Sequence, residues 1–97
     1  MIMRFTTGRF DPAQFEDIRR YAQERQATTM QAVPGFQSYT AGFDRASGQY
    51  IGVSVWATEE AAQAGTEATT RIRGEFPPPL PPAEGPLPRY YEVIAQA

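Results

Sequence analysis

The 97-residue chain contains no His, Cys, Lys or Asn, so its chemistry rests on Tyr, Arg, Trp and carboxylates. That set excludes Ser–His and Cys–His nucleophile pairs, lysine Schiff bases, and zinc or haem held by His. No metal site is expected. Five tyrosines remain as acid–base candidates (Tyr21, Tyr39, Tyr50, Tyr90, Tyr91), each with an ordinary pKa of ~10. A buried Tyr beside an Arg could help ionise a phenolic ligand. Arg4, Arg25, Arg71 and Arg73 could orient an anion. Arg25, near the inner edge of a helix, would need a partner if turned inward. Trp56 is either a wall or N–H donor of a small-molecule pocket, or core packing at a strand end. Glu92, mid-strand, would be ion-paired or carry a raised pKa, which makes it a candidate general base.

These residues sit in a legible order of elements. Met1 to about Thr7 reads as a strand, closed by Gly8. Asp11-Pro12-Ala13-Gln14 is a helix start, with Asp11 as cap, Pro12 at the first helical position and Gln14 completing a capping box. Phe15, Ile18, Ala22 and Thr29 or Met30 form its inner stripe, and Pro34-Gly35 stops it. Phe36–Phe43 and Gln49–Trp56 form a hairpin about the turn Asp44–Gly48. Pairing Phe43 with Gln49 sets Ala41 against Ile51, Tyr39 against Val53 and Phe36 against Trp56. That register groups Phe36, Ser38, Thr40, Tyr50, Ser54 and Trp56 on one side. Hydroxyls with aromatics on a buried face suit a planar, partly polar molecule, although Ser and Thr also pair routinely across hairpins. Thr58-Glu59-Glu60 caps a second helix with inner stripe Ala61, Ala64, Ala68 and Ile72, ended by Gly74. A proline-rich connection, 77–88, leads to a last strand, Arg89 to about Ala95.

Strand, helix, strand, strand, helix, strand is the ferredoxin-like α+β pattern, here one domain over 1–97 with an antiparallel sheet and both helices on one face. The strands Tyr50–Trp56 and Tyr90–Ile94 are apolar on both sides. The helices cover one face, and the chain holds nothing to cover the other. A second copy is therefore expected to pack sheet against sheet as a homodimer. Net charge is -2 with the nine Arg scattered, so no nucleic-acid partner is expected. No apolar run reaches the ~18–20 residues of a membrane span, and no signal-peptide pattern opens the chain; a cytoplasmic protein is expected.

With Val33-Pro34-Gly35-Phe36 at the helix-to-strand junction and Val53-Ser54-Val55-Trp56-Ala57-Thr58-Glu59-Glu60-Ala61 running from a strand into a capped helix, the chain resembles the antibiotic biosynthesis monooxygenase family of dimeric α+β barrels. The resemblance implies a dimer and a small cofactor-independent monooxygenase acting on aromatic or polyketide-like compounds. The alternative is a non-catalytic ligand-binding or structural dimer of the same fold. Haem-degrading relatives use a His, an Asn and a Trp, of which this chain has only Trp56. Several quinone-forming relatives carry an Asn four residues before that Trp, where this chain has Gly52. The candidate pocket is accordingly Trp56, Tyr50, Ser54, Ser38, Phe36, Arg25 and Glu92, around a small aromatic ligand and without a cofactor.

Overall fold

Four antiparallel strands carry two helical layers on one face, in a computed structural model that describes residues 1–73 and 88–97. The strands are β1 (Ile2–Arg9), β2 (Phe36–Phe43), β3 (Gln49–Trp56) and β4 (Arg89–Glu92), ordered β2-β3-β1-β4. The ladder extends past β4, where Val93 N–H donates to Met1 O at 3.0 Å. This is the ferredoxin-like α+β topology that the element order predicts. The connection expected over 77–88, Pro88 excepted, lies outside the described residues, as does the Gly74 helix stop.

The first helix begins as its sequence dictates. The Asp11 side chain accepts from Ala13 N–H at 2.9 Å, and Gln14 Oε1 accepts from Asp11 N–H at 3.3 Å. These bonds satisfy donors that a helix N-terminus leaves open. The rod then has three parts: α1 (Phe15–Tyr21), a wider π turn (Ala22–Gln26) and α2 (Ala27–Gln31). In the π turn Ala27 N–H donates to Ala22 O, five residues back instead of four. One extra residue is thereby stored in the rod. The rod ends at Gln31, three residues before the expected Pro34-Gly35 stop; Gly35, in the turn that leads into β2, has φ +93, a conformation that favours glycine. The Gly35 carbonyl accepts from Ala57 N–H at 2.8 Å, which ties the Pro34-Gly35 junction to the end of β3.

The third helix, α3 (Glu59–Ile72), is capped by Thr58 Oγ1, which accepts from Ala61 N–H at 3.1 Å. Its buried residues are Ala62, Gly65, Thr69 and Ile72, so the inner stripe is rotated by one residue from Ala61, Ala64 and Ala68. The reason is close approach. A Cβ on Gly65 would fall inside the Trp56 indole at Cη2 and Cζ2, so only glycine lets the helix settle on that ring. On the first rod, Ile18, Tyr21, Ala22 and Met30 are buried. Met30, Trp56 and Ala62 form the main core cluster, with Ile2, Val33, Phe36, Tyr39 and Tyr90 packed around it.

The hairpin register is also shifted. Phe36 does pair with Trp56, but beyond it the pairs are Ser38 with Val55, Tyr39 with Ser54, Ala41 with Gly52 and Phe43 with Tyr50. An irregularity between Phe36 and Ser38 absorbs one residue. A one-residue slip turns every side chain to the opposite face. Tyr39 therefore joins Phe36, Tyr50, Ser54 and Trp56 on the helix-facing side, while Ser38 and Thr40 face away with Val53 and Val55.

Candidate functional site

The inner face of the sheet has an apolar end and a polar middle. At the apolar end Trp56 is fully buried at 0% exposure, and its Nε1–H donates to Ser54 Oγ at 2.8 Å. The Phe36 ring meets the indole edge-on with centroids 5.4 Å apart. Trp56 is thus closed in by Phe36, Met30 and α3, and its one polar atom is already satisfied.

The polar middle lies where β1, β2 and β3 present Arg4, Tyr39 and Tyr50 to the rod. The hydroxyls of Tyr39 and Tyr50 are 2.8 Å apart. Both also reach Gln26 Oε1, at 2.8 Å from Tyr39 and 3.2 Å from Tyr50. Gln26 is the last residue of the π turn, so the stored residue aims its amide at the two phenols. Such turns recur at functional sites. Two phenol protons serve three oxygen contacts, so the cluster retains acceptor capacity. Gly52 gives the cluster room: a Cβ there would press on the Tyr50 hydroxyl at 2.7 Å and on Thr6 Oγ1 at 2.9 Å.

Arg4 is the charged member. It stands opposite Ser54 on one side and Tyr90 on the other. Only 8% of its surface is exposed, and its Nε has no hydrogen-bond partner. Among the described residues no carboxylate pairs with it. The Tyr90 hydroxyl lies 2.7 Å from Thr66 Oγ1 on α3, which fixes that ring at the edge of the layer.

Burial lowers the Arg4 pKa from its ordinary value, against the stabilising pull of Tyr90, Tyr50 and Tyr39. Burial also drives the Tyr39 phenol far above its usual range, with Tyr50 adding to the effect and Arg4 opposing it. Tyr50 is raised for the same first reason, while its bond to Tyr39 and the charges of Arg4 and Arg73 pull it back. Both phenols are held neutral. A neutral phenol can donate a hydrogen bond as well as accept one.

Of the residues singled out from the sequence, the structure brings together Trp56, Tyr50, Ser54 and Phe36. Ser38 is exposed on the other face of the sheet because of the irregularity in β2. Arg25 is exposed on the rod, since the π turn aims Gln26 inward in its place. Glu92 is exposed at the end of β4, where only β1 flanks it, and is not buried mid-strand. Gln26, the inward Tyr39 and the buried Arg4 enter the site from the geometry. A sequence signal existed for Arg4, because the alternation Ile2-Arg4-Thr6 puts it on the opposite side from Met3 and Phe5. No sequence signal marked the π turn.

Strand order, helices on one side and a phenol-lined polar layer beneath them define a ferredoxin-like α+β protein. The chain belongs to the antibiotic biosynthesis monooxygenase family, whose profile matches residues 1–69. No curated protein sequence matches it. Among solved structures it resembles a variant of MhuD with two manganese protoporphyrin IX molecules bound per active site. The TM-score is 0.75 at 18% identity, over 100% of this chain and 98% of that one. It also resembles the monooxygenase of ActVA-Orf6 from Streptomyces coelicolor in complex with nanaomycin D, with TM-score 0.62 and 19% identity over 99% and 91% of the two chains. Rv0793 from Mycobacterium tuberculosis matches with TM-score 0.69 at 12% identity, over 99% and 97%. No helix among the described residues is long and apolar enough to cross a membrane.

Proposed function

We propose that the protein binds a planar aromatic or polyketide-like compound in the layer between sheet and helices, and oxygenates it without a cofactor. The observation that carries this reading is the pair of half-buried, neutral phenols, Tyr39 and Tyr50, joined to each other and to Gln26 beside Arg4. Preorganised neutral donors beside a positive charge stabilise an enolate or phenolate as it forms. The substrate's acidic C–H gives its proton to a water or buffer base, and the peroxide anion takes a proton back before it loses water. The resulting carbanion passes electrons to dioxygen, and the peroxide then loses water. The balance closes on one ring methylene and one dioxygen. Both methylene hydrogens leave with one oxygen atom as water, and the other oxygen stays on the carbon as a carbonyl. The substrate is the sole reductant. Tyr39 and Tyr50 donate to the developing anion, Arg4 supplies the charge, and the apolar end keeps water from the carbanion. An iron porphyrin does not suit this donor set: the chain has no His or Cys, and the central phenols are held neutral. No step is routed through one.

The reading includes a homodimer. The outer face carries Met3, Phe5, Val53 and Val55, with Ile51 38% and Tyr91 43% exposed. A second copy packed on this face would bury that surface.

The second reading, a non-catalytic ligand-binding dimer, is favoured by the closure of Trp56 and by the absence of an Asn at Gly52. Oxygen uptake with 1,8-dihydroxyanthrone separates the two. One dioxygen consumed per quinone formed, faster than in buffer and slowed by Tyr39→Phe, supports the oxygenase. Saturable binding with no uptake above buffer supports the binder. Native mass spectrometry of the same sample tests the dimer, and a monomer at micromolar concentration would remove that part of the proposal.

A further inference from the structure

We propose that Arg4 anchors the ligand through a delocalised oxyanion, so that the site takes planar aromatic anions in preference to their neutral counterparts. The inference rests on the layer being a ligand site, and it narrows the class of compound that enters. Arg4 rises from β1, one of the two inner strands, with 8% of its surface exposed. A guanidinium stays protonated in proteins. A buried charge is ordinarily paired or solvated. Here Nε has no hydrogen-bond partner, and no carboxylate of the described residues pairs with the group. The Ser54 hydroxyl, on the residue that pairs with Arg4 across the ladder, is occupied by the Trp56 indole N–H.

The groups that do surround Arg4 electrostatically are Tyr90, Tyr50 and Tyr39. Tyr90 also hydrogen-bonds the guanidinium, Tyr50 and Tyr39 offer dipoles, and none of the three offers a full counter-charge. The missing element is therefore an anion. The buried, unpaired Nε–H, taken with a terminal N–H of the same fork, matches the two oxygens of a carboxylate once a ligand parts the layer. It equally meets a single ionised phenol oxygen. The aromatic rings along the layer favour a flat body behind that oxygen. Tyr39 and Tyr50, half-buried and neutral, would turn their protons from Gln26 Oε1 to its remaining lone pairs.

Calorimetric titration at neutral pH with three probes tests this. 2-Naphthoate carries a carboxylate, 2,4-dinitro-1-naphthol is an ionised phenol, and methyl 2-naphthoate is the neutral isostere. At least one anion is expected to bind the unmodified protein about tenfold or more tightly than the ester. Which anion binds better tells whether carboxylate or phenolate chemistry fits the fork. Arg4→Met should abolish the preference while leaving the ester's affinity within about twofold, and Arg4→Lys should keep part of it. Equal binding of anions and ester by the unmodified protein would overturn the anchor role, and this arm needs no variant to fold. An undiminished preference in folded Arg4→Met would overturn it as well. In both cases the ligand layer itself would stand. Binding of none of the probes would overturn the anchor and the layer together.

Discussion

Two regions of one sheet face, less than one strand length apart, solve opposite problems. At one end Trp56, Met30, Ala62 and Gly65 exclude solvent, and the one polar atom of the indole is tied to Ser54. In the middle Arg4, Tyr39, Tyr50, Tyr90 and Gln26 gather hydroxyls, an amide and a charge. The first arrangement is what burial alone would select. The second is not, because a buried cation without a carboxylate works against stability. The contrast separates residues kept for the fold from residues whose presence the fold does not explain. It also moves the centre of interest from Trp56, where the family resemblance directs it, to Arg4 and the tyrosines.

The contrast can be broken by mutation, and the largest effect is expected at the apolar end. Trp56→Ala should remove about 3–5 kcal/mol from the unfolding free energy in a denaturant titration. A loss below about 1 kcal/mol would show that the indole is not the closure described. Gly65→Ala comes next. Alanine gains about 1 kcal/mol over glycine in a helix, but its methyl group must push into the Trp56 ring, an overpacking of about 1–3 kcal/mol. A net loss of about 1–2 kcal/mol is expected. A more stable variant would mean that α3 can lift away from the indole freely.

The polar middle should respond to pH where the apolar end does not. Tyr39 and Tyr50 ionise in the folded protein only far above the unfolded value, so the folded state holds more protons once pH exceeds ~10. Their contribution is fully present below that pH and is lost as pH rises above it. The slope is about 1 kcal/mol per pH unit for each buried phenol. Denaturant titrations at pH 9, 10 and 11 should show this decline, and Tyr39→Phe should flatten it. Unchanged stability across that range would mean that water reaches the phenols freely. The smallest effect belongs to Arg4→Met. Removing a buried charge for an apolar chain should leave the melting temperature level, or raise it by the equivalent of about 1 kcal/mol at most. A marked loss would show that Arg4 is held by partners and is a structural residue.

Most of the fold was legible because its signals are local. Asp11-Pro12-Ala13-Gln14 and Thr58 set helix starts through caps, Pro34-Gly35 marks the turn into β2 after the rod has ended at Gln31, and the hairpin turn set the pairing of β2 with β3. The site was less legible because three single-residue offsets control it. The irregularity after Phe36 turned Tyr39 inward and Ser38 outward. The π turn brought Gln26 inward in place of Arg25. The contact of Gly65 with Trp56 rotated the stripe of α3 by one position. None of the three changes the hydrophobic pattern by more than a residue, so periodicity passes over them. They appear only when neighbouring elements are packed. Glu92 misled for a different reason: a strand that reads as apolar on both sides can still end at the rim of its sheet.

The π turn also bears on how this domain can diverge. Deleting one residue from Ala22–Gln26 would restore an ordinary α-helical repeat, with no break in the rod on either side. The seating of Ile18 and of Met30 would survive. The residue facing Tyr39 and Tyr50 would change if Gln26 itself were the one lost, and would stay if the loss fell earlier in the turn. A change of length in the turn, as well as a substitution at Gln26, is thus a step by which a scaffold of this kind would exchange the group presented to its phenols.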